Sequence, residues 1–86
     1  MTEIDGKEIL SRFGKKLEEI KERKKLSYRK IATRCNIDHS DIKKYVDGKI
    51  SPSILTVVEL AKGLGVHPTE LFDFDFGVDF SAEEEL

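Results

Sequence analysis

The sequence is sparing with several residue types. It has one cysteine, two prolines, no tryptophan and no apolar run longer than two residues in its 86 positions. A lone Cys35 allows no internal disulfide and no cysteine-based zinc site, so the core must support the fold unaided. The missing apolar run excludes a membrane helix, which needs roughly 20 such residues, and the N-terminus lacks the charged-then-apolar layout of a signal peptide. A cytoplasmic protein is expected. Gly-rich phosphate cradles are absent, and Asp73 and Asp75 have no base or nucleophile beside them. His39 and His67 are too far apart, with no acidic pair at ligand spacing, to suggest a metal site. No enzyme and no cofactor is therefore expected.

What is present is charge, at 37% of positions, beside 38% apolar residues and a formal net charge of −2. This composition predicts one small globular domain. The charge is segregated. Residues 72–86 hold six acids and no base, whereas residues 21–49 hold ten bases against four acids, a local +6. A basic stretch inside a folded domain suits a phosphate backbone, although such runs more often mark a solvated face.

Apolar spacing predicts five helices. Ile9, Leu10, Phe13, Leu17 and Ile20 form one stripe over 8–24, with Gly6 ahead of it. Ser27 is placed to cap a short second helix over 28–35 with Ile31, Ala32 and Cys35 inward, and Asn36 suits a left-handed turn at its end. Asp38 is expected to cap a third helix over 39–47 that buries Ile42, Tyr45 and Val46, with Asp41 at capping-box spacing. After Gly48 comes a fourth helix, capped by Ser51 or Ser53 with Pro52 in its first turn. Its inward face is expected to carry Ile54, Val57, Val58, Ala61 and Leu64. His67 lies near the cap of a short fifth helix, and Phe72-Asp73-Phe74-Asp75-Phe76 alternates as a short strand would.

Leu26-Ser27-Tyr28-Arg29-Lys30-Ile31-Ala32, Asn36-Ile37-Asp38, Ile42, Gly48, Pro52-Ser53, Leu60-Ala61, Leu64-Gly65-Val66 and Glu70-Leu71-Phe72 together resemble the helix-turn-helix family of phage Cro and repressor proteins. The resemblance covers about residues 9–72. It implies an all-α, compact five-helix DNA-binding domain over 1–72, with the helix-turn-helix at helices two and three, followed by an acidic, Phe-containing extension over 73–86. In the family, helix three enters the major groove, where each base pair shows a distinct pattern of donors and acceptors. By this resemblance His39, Ser40 and Lys44 read bases, with Lys43 a further candidate on the same outer face, while Ser27, Tyr28, Lys49 and Ser51 hold phosphates. Tyr28 stands where the family usually has Gln. A basic residue on helix one often pairs with a Glu two places before the Gly, but Lys21 here faces Val46, so it must reach water or another acid.

The expectation is a sequence-specific regulator of transcription, a homodimeric repressor of bacterial or phage type on a near-palindromic operator. Residues 81–86 read as a disordered acidic end. Phe74, Phe76, Val78 and Phe80 are too apolar to leave in water, and the segment Phe72 to Phe80 is expected to fold back or to pair across the two-fold axis, with Phe72, Phe74, Phe76 and Phe80 as the candidate dimer residues. The alternative is a protein-interaction module, an adaptor or antitoxin, whose acidic aromatic tail binds another protein.

Overall fold

In a computed structural model, which describes residues 5–81, four α-helices and one 3-10 helix enclose a single core. The α-helices are α1 (Gly6–Arg23), α2 (Tyr28–Thr33), α3 (His39–Val46) and α4 (Ile54–Leu64). The expected fifth α-helix is instead a tighter 3-10 helix, Pro68–Phe72. His67 begins it, with Nδ1 accepting from the Thr69 amide at 3.2 Å. Such short 3-10 pieces are common as terminal connectors.

Phe13, Leu17 and Ile20 of α1 meet Ile31, Ile42, Val57, Leu60, Ala61, Leu64 and Leu71 in the core. Seven of these side chains are fully buried, each worth about 1.5–3 kcal/mol of transfer free energy. α1 packs on α3 and on the 3-10 helix, while α2 lies against α3 and α4. The closest approach is at Gly14 on α1. A Cβ there would stand 2.7 Å from the Val46 carbonyl carbon and 2.8 Å from the Tyr45 carbonyl oxygen, so only hydrogen fits.

Several boundaries differ from expectation for local reasons. Gly6 is the first residue of α1 rather than a residue before it, because Asp5 is the cap and its Oδ1 accepts from the Glu8 amide at 3.0 Å. The second helix stops at Thr33, and Asn36 is not left-handed. Lys25 is the only non-glycine with positive φ among the described residues, at 58°. It sits where α1 ends. The Leu26 amide reaches the Lys21 carbonyl at 3.0 Å and the Lys25 amide that of Glu22 at 3.1 Å, the Schellman pattern that usually employs glycine. α3 closes in the same way with Gly48 at φ 72°, whose backbone lies against Leu10 and Ser11.

Asp38 begins α3 but makes no side-chain cap; its carboxylate takes the Ser40 hydroxyl at 2.6 Å instead. Asp41 pairs with Lys44 and does not complete a capping box. On α4 the cap is Ser53, with Pro52 one place before it rather than in the first turn. Ile54 and Val58 do not share the inward face of Val57, Ala61 and Leu64. Ile54 is 81% exposed, Leu55 77% and Val58 44%. Nor do residues 72–76 form a strand, because the Phe74 amide turns back to the Phe72 carbonyl at 2.9 Å and no partner strand lies alongside among the described residues. The segment folds back on α1, where Arg12 donates to the Asp75 carbonyl at 2.7 Å. The expectation for 81–86 falls, apart from Ser81, outside the described residues.

Candidate nucleic-acid interface

Ser27 sets the start of α2, its Oγ accepting from the Lys30 amide at 3.0 Å. Asn36–Asp38 then turns the chain into α3, which buries Ile42 and leaves Ser40, Lys43 and Lys44 exposed with His39 partly so. These four base-reading candidates therefore share the outer side of one helix. Lys49 and Ser51 lie exposed in the loop that follows. Tyr28, the first residue of α2, is half-buried against the core.

Each basic group of α3 has an acid close by. The Lys43 ammonium bridges both Asp47 oxygens at 2.8 and 2.9 Å, and Lys44 stands 3.5 Å from Asp41. His39 Nδ1 is 3.7 Å from Asp38, whose carboxyl is held below the usual range by the Ser40 hydrogen bond. With His39 neutral, residues 38–47 hold three acids and two lysines, a net −1. Lys25, Arg29, Lys30, Arg34 and Lys49 make no ion pair among the described residues. The free positive charge thus surrounds the candidate reading helix rather than lying on it.

Lys21 finds its acids on its own helix. Its Nζ lies 3.1 Å from Glu22 and 3.4 Å from Glu18, and 4.8 Å above the centre of the Tyr28 ring. The Tyr28 hydroxyl donates to Glu18 Oε1 at 2.8 Å. Burial and that hydrogen bond push the phenol pKa up to about 12. Burial opposes the charge of Glu18, but the Tyr28 and Lys21 interactions outweigh it and lower its pKa. Sequence reasoning expected Lys21 to reach water or another acid, but missed the bond between Tyr28 and Glu18. The Glu18, Lys21 and Glu22 spacing on one helix was the available signal; the reach to Tyr28 depends on how α1 crosses α2.

The candidate dimer residues divide. Phe74 and Phe76 are half-buried on their own chain and stack at 4.3 Å with 14° between planes, while Phe72 and Phe80 stay exposed. A groove of about 200 Å³, lined in part by Leu10, Phe13, Pro52, Ile54, Phe72 and Phe76, runs beside the exposed side of α4. The α4 patch also escaped sequence reasoning. Its signal was present: Ile54, Leu55, Val57, Val58, Leu60 and Ala61 cover too wide an arc for one buried stripe.

No helix among the described residues is long and apolar enough to cross a membrane. A family model described as a helix-turn-helix domain matches residues 12–73. No curated protein matches the chain. The fold is similar to the crystal structure of the restriction-modification controller protein C.AhdI from Aeromonas hydrophila, at 32% identity and a TM-score of 0.70. The match covers 73% of this chain and 96% of that one.

Proposed function

The chain belongs to the helix-turn-helix domain family of DNA-binding regulators, and from that premise we propose that it is a homodimeric repressor that reads a near-palindromic operator with α3 in the major groove. The observation that carries this is the grouping of His39, Ser40, Lys43 and Lys44 on the outer side of a helix held by the helix-turn-helix packing. Lys44 and Lys43 donate to guanine O6 and N7, and His39 and Ser40 donate or accept at neighbouring base edges. Asp41 holds Lys44 in place rather than reading a base. Ser27, Lys49 and Ser51 contact phosphates and fix register, as does Tyr28 once its hydroxyl is released from Glu18.

Dimerisation is needed to place two α3 helices about 34 Å apart on one face of the duplex. The exposed Ile54, Leu55 and Val58 together with Phe72 and Phe80 offer the apolar surface for it, and Phe74 and Phe76 shape the groove beside that surface. Similarity to C.AhdI favours control of a restriction-modification locus over the other roles open to small regulators.

Selection from a random duplex pool tests the proposal. A two-fold symmetric winner is expected, with affinity falling steeply as salt rises. Lys44→Ala should cost about 1–3 kcal/mol and relax base preference at one position, while Lys49→Ala should weaken all duplexes alike. Failure to enrich any duplex at low salt would refute the reading.

A further inference from the structure

The start of α2 carries an anion already. Tyr28 has a single hydroxyl proton, and Glu18 Oε1 holds it at 2.8 Å. A phosphate oxygen can only accept, so Tyr28 cannot donate to DNA while it donates to Glu18. Two anions compete for one donor.

The surroundings make the exchange feasible. The Tyr28 ring is fixed by the core on one side and by Lys21 above it, so its hydroxyl is already positioned. Glu18 is partly open to solvent, its side chain 35% exposed, and keeps Lys21 at 3.4 Å when the phenol leaves. Lys21 itself is only 12% exposed and shared between Glu18 and Glu22, so it is a poor substitute as a phosphate ligand.

We propose that Glu18 is an internal stand-in for a DNA phosphate: it holds the Tyr28 hydroxyl in the free protein and yields it to the backbone in the complex. Glu18 is then a positioning residue that sets overall affinity without reading sequence. The inference rests on the DNA-binding reading and adds to it a residue on α1, outside the helix-turn-helix itself.

The test is a double-mutant cycle of Glu18→Gln and Tyr28→Phe. Affinities are measured on the selected operator and on an unrelated duplex, with melting curves confirming folding. Glu18→Gln should tighten both complexes about fivefold, the scale of one hydrogen bond no longer contested by a carboxylate. Their ratio should stay constant, and in the Tyr28→Phe background the gain should shrink to the part due to charge alone. Glu22→Gln, which removes an equal charge without touching Tyr28, should give a smaller gain. Unchanged or weaker binding by folded Glu18→Gln overturns the proposal, as does a gain that is undiminished in Tyr28→Phe or is matched by Glu22→Gln.

Fluorotyrosine-labelled protein with native Glu18 gives a reading independent of that variant's folding. The Tyr28 resonance, assigned from Tyr28→Phe, should move when duplex is added, and an unmoved resonance in a saturated complex overturns the exchange. A parent protein that binds no duplex overturns both this and the DNA reading, whereas a binding parent with a flat cycle overturns the exchange alone.

Discussion

Gly14→Ala should destabilise the protein although alanine is the better helix former. Gly14 is buried in the middle of α1, where its backbone meets the last turn of α3. The added Cβ would lie 2.7 Å from the Val46 carbonyl carbon, 2.8 Å from the Tyr45 carbonyl oxygen and closer still to the Val46 oxygen. Carbon contacts are comfortable only near 3.5–4.0 Å, so the two helices would have to part by roughly 1 Å. Backbone atoms cannot rotate aside as a side-chain tip can. Alanine returns about 1 kcal/mol of helix propensity, while overpacking between rigid elements costs about 1–3 kcal/mol and loosens the layer over Leu17 and Ile42. The difference is a net loss of up to about 2 kcal/mol, and at about 4–8 °C per kcal/mol for a domain of this size the melting temperature should fall. Gly6→Ala is the control, since nothing lies within 4 Å of its added methyl; it should melt no lower than the parent. Because α3 moves with the opened contact, Gly14→Ala should also lose more affinity for the operator than for unrelated DNA. A Gly14→Ala protein that melts at or above the parent refutes the packing argument.

The dimer surface is tested by Leu55→Glu, which places a charge on the exposed side of α4 and leaves the core untouched; light scattering should give the monomer mass, and retention of the dimer mass would refute that surface. Tyr28 offers a pH test. Its phenol pKa is raised to about 12 against an ordinary value near 10, so the folded protein holds that proton more tightly than the unfolded chain. The stability this contributes is complete below pH about 10 and is lost as pH rises toward 12. Ultraviolet titration of the parent against Tyr28→Phe should place this ionisation near pH 12, and Glu18→Gln should move it down; a midpoint unaffected by Glu18→Gln would refute the assigned hydrogen bond.

The parts legible in the sequence were those governed by spacing within one segment. Leu17 and Ile20, or Val57, Ala61 and Leu64, lie three or four residues apart, and such positions fall on one side of a helix whatever the rest does. Ser27, Ser53 and His67 cap their helices because a side-chain acceptor beside a free amide is a local matter. Lys25 was not legible, since nothing in a lysine announces positive φ; Leu26 docking into the core and the two closing hydrogen bonds impose it. Asp38 looked like a cap until Ser40, two residues on, offered its carboxylate a hydroxyl. The alternation of Phe72 to Phe76 promised a strand, but alternation needs an edge to pair with, and here Phe74 and Phe76 turn to the surface of α1 instead. Among the site residues, exposure of Ser40, Lys43 and Lys44 followed from the α3 periodicity. The bond between Tyr28 and Glu18 joins two helices and had no local trace.

The pairing of acid and base along α3 bears on how such a helix would discriminate among DNA sites. A bare lysine in the major groove gains from every phosphate nearby, so its attraction is largely indifferent to sequence. Lys43 and Lys44 already have carboxylate partners, and a contact with guanine must compete with Asp47 or Asp41. On a mismatched site the lysines keep their partners and gain little, while the carboxylates are still carried toward the phosphates. The consequence is a lower affinity for all DNA but a wider gap between right and wrong sites, since rejection arises from repulsion as well as from missing contacts. On the proposed DNA reading, Lys25, Arg29, Lys30 and Arg34 would then supply much of the long-range attraction from α2 and the residues flanking it, with Lys49 supplementing it from the loop after α3. Association and recognition would thus be assigned to different residues, with salt acting mainly on the first.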